Sequence, residues 1–81
     1  MTHKPATALP ETSYDSMSPQ TAQYIRMIRN SRKREYAIRF WNYLEREAKG
    51  ESPEPPRFSS IGYMAAQAVR INLIELRRHY G

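Results

Sequence analysis

Residues 18–57 read SPQTAQYIRMIRNSRKREYAIRFWNYLEREAKGESPEPPR, and this stretch decides the fold. Ser18 can cap a helix, and Pro19 suits its first turn, where a missing N–H costs nothing. From Gln20 to Lys49 there is neither glycine nor proline, and strong helix formers fill the middle. Gly50 supplies a stop, because glycine enters the left-handed conformation cheaply. The segment 19–49 is therefore helical. On a wheel of about 100° per residue, Ala37, Phe40, Trp41, Leu44 and Ala48 share one stripe. Thr21, Tyr24 and Ile28 fall nearly opposite it. An apolar face that jumps in this way predicts a break near Asn30-Ser31, with Ser31 as the cap of a new helix.

Outward from this stretch, GESPEPPR at 50–57 is a linker. Pro53, Pro55 and Pro56 forbid helix and favour extended polyproline backbone. Ser59 and Ser60 offer a further cap, and a last helix runs to Tyr80, with Gly62 tolerated in its first turn. Arg77, Arg78 and His79 in its last turn suit the helix dipole. Residues 1–17, with two prolines, three threonines and two serines, read as a disordered tail that buries too little to offset its ordering entropy. No segment alternates with period two for long enough to make a strand. The expected fold is all-α: an antiparallel helical hairpin (about 31–49 and 60–80) with a short preceding helix (about 19–29), a three-helix unit within one domain at 18–81. The expected core is Ile25, Ile28, Ala37, Phe40, Trp41, Leu44, Ile61, Met64, Ala65, Ala68, Val69, Leu73 and Leu76.

The 81 residues carry 13 Lys+Arg against 8 Asp+Glu, a net +5, and no cysteine. Disulfides and thiolate metal sites are thereby excluded. No apolar run reaches the roughly 18–20 residues of a membrane helix, so a cytoplasmic, soluble chain with no membrane partner is expected. Residues 19–50 hold eight of the cations and three of the acids, which accounts for the whole net charge. Within them Arg26, Arg29, Arg32, Lys33 and Arg34 form a run without an acid, interleaved with Tyr24, Tyr36 and Tyr43. Arginine presents a planar fork that fits carboxylate and phosphate and stacks on rings. Such a surface suits an acidic protein partner, nucleic acid through phosphate contact and base stacking, or a plain solvated face with Glu35–Arg39 as an i,i+4 pair.

The last helix is apolar around most of its circumference. Tyr63, Ile71, Leu73 and Ile74 form a candidate docking face, since one neighbouring helix cannot cover every apolar position. Asn72 and Glu75 fall inside the apolar sector, as buried register-setting contacts or as its edge. Chemistry is poorly supported: His3 and His79 are near the ends, and there is no nucleophile triad, phosphate loop or metal-ligand spacing. No catalytic residue, metal or cofactor is assigned. A His79/Glu75 acid–base pair is the weakest of the readings. Ser18-Pro19 and Ser52-Pro53 match proline-directed phosphorylation but serve equally as turn chemistry. Pro53-x-x-Pro56-Arg57 resembles a polyproline ligand and reads better as a stiff spacer.

Tyr24-Ile25-Arg26-Met27-Ile28-Arg29, in a small basic helical chain, is similar to the Leu-Tyr-Arg motif family of mitochondrial assembly factors. The order here is Tyr-Ile-Arg and the defining triplet is absent, so no role is carried over. The expected function is a non-enzymatic binding protein. It would act as an accessory, adaptor or inhibitory subunit that docks on a larger acidic assembly or pairs with its own copy. Nucleic-acid binding through 26–39 is the alternative.

Overall fold

A computed structural model describes residues 14–58 and 61–81. The chain is all-α, with a short 3₁₀ turn (Tyr14–Ser16) followed by α1 (Pro19–Arg26), α2 (Ser31–Ala48) and α3 (Tyr63–Tyr80). All three helices pack on one another. The expected tail at 1–13 and the Ser59/Ser60 cap lie outside the described residues. Residues 14–17 depart from the tail reading, because Met17 is buried in the core and Tyr14 packs against it.

The caps explain the boundaries. Ser18 Oγ accepts from the Thr21 backbone N–H at 3.1 Å, with Pro19 at the first helical position. The anticipated break is present, but its cap is Asn30 and not Ser31. Asn30 is extended (φ −72°, ψ 119°), and its Oδ1 accepts from Arg32 N–H at 2.9 Å and Lys33 N–H at 3.0 Å. A carboxamide one residue earlier reaches two orphan donors, so the helix starts at Ser31. α1 correspondingly stops at Arg26, short of the expected 29. At the other end, α3 starts at Tyr63 and not near 60. Gly62 has φ 88°, outside the helical region, and provides no side-chain cap.

The core gathers Met17, Ala22, Ile25 and Ile28 from the first part of the chain, Tyr36, Ala37, Phe40 and Trp41 from α2, and Ala66, Val69 and Leu73 from α3. Leu44, Ile61, Leu76 and Phe58 pack around it, partly exposed. Three expected core residues are not there: Met64 is 78% exposed, Ala68 also faces solvent, and Ala65 is only half-buried. An all-round apolar helix does not announce which side its neighbours will cover. Here α3 turns Ala66, Val69 and Leu73 inward, so Met64 and Ala68 point away.

Side-chain pairings tie α2 to α3. The Arg70 guanidinium lies over the Phe40 ring, 5.5 Å from its centroid. About two turns further along α3, Arg77 lies over Trp41 at 5.2 Å and bonds Glu45 at 2.8 Å. The helices thus pack side by side as the expected three-helix unit. Fourteen residues separate Ala48 from Tyr63, and polyproline backbone spans about 3.1 Å per residue, or about 40 Å. A strap of that reach needs no tight turn, and Phe58 and Ile61 anchor it on the core.

Leu73 has no solvent exposure, so its truncation tests this packing. Leu73→Ala is expected to lower unfolding free energy by about 2–5 kcal/mol, as for other buried leucines. Urea denaturation followed by far-UV circular dichroism reads the loss.

Candidate binding surfaces

The five cations of the run part into two groups. Arg34 Nη1 donates to the Ile28 carbonyl at 2.6 Å, closing the backbone of the α1–α2 connection. Arg26 lies 4.5 Å from the Tyr14 ring centroid, covering the ordered N-terminal turn. Arg29 and Arg32 are exposed and Lys33 half-buried at the corner where α2 begins. Among residues with described side chains, no carboxylate lies within ion-pair distance of these three.

The tyrosines do not fulfil the role expected of them. Tyr36 is 4% exposed and stacks on Phe40 with ring centroids 6.2 Å apart, so it is a core residue and not a contact surface. Its place on the wheel beside Phe40 carries that signal, whereas its interleaving with the cations points to the binding surface. Tyr24 is half-buried and its hydroxyl accepts from Asn72 Nδ2 at 3.2 Å, tying α1 to α3. Asn72 is exposed, and Glu75 is exposed and faces Arg78 and His79. Both therefore mark the edge of the apolar sector rather than buried contacts. The expected Glu35–Arg39 pair is present at 2.8 Å on the surface, where it contributes about a few tenths of a kcal/mol.

The Tyr24–Asn72 bond divides two open grooves. One, of about 500 Å³, is lined by Tyr24, Met27, Ile28, Arg29, Asn30, Lys33 and Asn72. The other, of about 410 Å³, runs along α3 and includes Glu75, Leu76, His79 and Tyr80. His79 Nε2 sits 3.4 Å from Glu75 Oε1, both exposed at i,i+4 spacing on the helix surface. Met27, 67% exposed in the first groove, was not singled out in the sequence. It follows the end of α1, where periodicity carries no information.

The docking face on α3 is also redrawn. Tyr63, Ile71 and Ile74 are exposed as expected, Ile71 by 57%. Leu73 belongs to the core, for the reason given above. Met64 and Ala68 take its place, and on the helical wheel these five residues form a stripe opposite Val69 and Leu73.

The helix start carries an electrostatic conflict. Arg32 and Lys33 stand in the first turn of α2, which contains no acid. Unsatisfied N–H groups make that end positive, so cations there reduce stability. Among the described residues, no helix is long and apolar enough to cross a membrane. No family model, curated protein or solved structure matches this chain.

Arg32→Glu is expected to raise stability by about 0.3–1 kcal/mol in low salt, since it replaces a repulsive end charge with an attractive one. Urea midpoints at low and high salt would show the gain and its screening. A second expectation concerns alkali. Burial pushes the Tyr36 phenol above its ordinary value of 10.0, partly offset by Arg70. The unfolded chain then ionises first, so this contribution is intact below pH of about 10 and falls as pH rises through that range. Tyr36→Phe should lose less stability than the parent between neutral pH and that range, measured by urea midpoints at each pH.

Proposed function

We propose that this chain is a non-enzymatic binding module, an accessory, adaptor or inhibitory subunit that docks on an acidic partner protein. The observation that carries the reading is the apolar stripe of α3 (Tyr63, Met64, Ala68, Ile71, Ile74), which points away from the core. Exposed apolar side chains of this kind along one helix of so small a chain suit docking into an apolar groove. The exposed corner of Arg29, Arg32 and Lys33 fits a partner of negative charge, steering encounter and setting orientation. The conflict at the start of α2 supports the same view. A local rule broken at a cost in stability is a common mark of a functional surface.

Nucleic-acid binding is the second reading. Met27–Asn30 is a four-residue connection between α1 and α2, a length that suits a helix-turn-helix, and the second helix begins with cations. Against it, Tyr36 is buried in the core, so it offers no free ring for base stacking.

Trp41 is enclosed, so a label on the ligand is the better reporter. Fluorescein-labelled single- and double-stranded oligonucleotides of mixed sequence are expected to show no saturable anisotropy change at about 50 or 200 mM salt, the range over which phosphate contacts weaken most visibly. Binding that falls by orders of magnitude between the two salts would replace the proposal with the second reading. Ile71→Asp is expected to keep the parent helicity and urea midpoint, and to abolish co-purification with the acidic partner when the chain is expressed in its host. Retention of the complex by Ile71→Asp would overturn docking through α3.

A further inference from the structure

The groove at the α1–α2 corner has a composition of its own. Its apolar part is the exposed Met27, the edge of Ile28 and the Tyr24 ring, and its rim carries Arg29 and Lys33. Carboxamides of Asn30 and Asn72 complete it, and among the residues with described side chains no acid lines it. Its neighbour across the Tyr24–Asn72 bond differs in composition, being lined by the Glu75 carboxylate and the His79 imidazole and by neither Arg29 nor Lys33. The two grooves therefore do not suit the same ligand.

We infer that the corner groove is a peptide-binding site that takes an acidic segment with one large aliphatic anchor. The anchor seats against Met27, Ile28 and the face of Tyr24, and flanking carboxylates meet Arg29 and Lys33. Three features carry this. Methionine is an adaptable apolar contact that repacks around different aliphatic chains. Arginine grips a carboxylate bidentately, while lysine supplies a second, mobile point charge. A carboxylate arriving at this corner also meets cations for which the described side chains supply no counter-charge. The Asn72–Tyr24 bond positions the tyrosine ring as one wall, so α3 takes part in the site without its outer stripe being involved. The inference rests on the binding-module reading for the partner being a protein. Its chemistry comes from the groove alone.

The probe is a fluorescein-labelled peptide with one leucine flanked on each side by two acidic residues, titrated with the full chain by anisotropy at low salt. Two controls accompany it, one with glutamine and asparagine replacing the acids and one with alanine replacing the leucine. The acidic leucine peptide is expected to bind saturably, and each control to bind at least fivefold more weakly. Arg29→Ala combined with Lys33→Ala should lower affinity at least fivefold, as should Met27→Ser. Both are surface changes whose folding is verified by helicity and urea midpoint. Ile71→Asp should bind the peptide as the parent does, which separates this groove from docking through α3. The inference fails if the parent does not bind, or if the uncharged control binds equally. It fails too if Met27→Ser or the alanine control binds at parent affinity, since that would leave a charge patch with no anchor pocket. Displacement of the peptide by a thymidine oligonucleotide whose own affinity is insensitive to Met27→Ser would overturn it in favour of phosphate contact.

Discussion

Trp41 has to be covered, and the rest of the structure follows from how that is done. The indole lies in the middle of α2 with no exposed surface, on a helix nearly half of whose residues are charged. α1 is only eight residues long and cannot enclose it unaided. α3 supplies Ala66, Val69 and Leu73 to the same cluster, and alanines at 37 and 66 with no exposure let the backbones approach. Arg77 then lies over the indole and is held by Glu45, linking α2 to α3 at the edge of the core. Among the described residues the indole Nε1 has no hydrogen-bond partner. An unsatisfied buried donor costs about 1–3 kcal/mol, which the large apolar area of an enclosed aromatic offsets.

Much of the backbone was legible because punctuation is local. Ser18-Pro19, the change of apolar face near residue 30, Gly50 and the proline strap each act through their own φ/ψ preferences or hydrogen bonds. They mark ends wherever the neighbours lie. What escaped depends on neighbours. Alanine carries little signal, so Ala22 and Ala66 went unnoticed although both are buried. Met17 looked like part of a tail because nothing beside it repeats with a helical period. Gly62 was read as a tolerated glycine within a helix, whereas its positive φ makes it the boundary. The strap's composition states its stiffness and length but not its path, so the places where Phe58 and Ile61 meet the core could not be read from it.

The candidate surface divides along the same line. The concentration of charge at 26–34 is a matter of composition and was plain. Which cations remain available is a matter of packing. Arg34 was drawn into the α1–α2 connection and Arg26 onto Tyr14, while Arg29, Arg32 and Lys33 were left at the corner. The tyrosines went the other way: Tyr36 to the core, Tyr24 to the α1–α3 junction and Tyr43 against Phe40, its hydroxyl donating to Glu47. The surface is thus poorer in aromatics and sharper in charge than the sequence implied.

The strap has a kinetic consequence. Because α3 is joined to α2 by fourteen residues and not by a tight turn, its docking is an intramolecular association. A short flexible tether holds such a segment at about millimolar local concentration. Proline stiffness and the Phe58 anchor narrow the volume it searches. Undocking would bare Trp41 and the inner face of α3 together, so one opening event presents apolar surface on two elements at once. A partner that grips α3 from outside without disturbing its inner face leaves that equilibrium untouched. A partner that competes for the inner face must first outbid its own tethered rival.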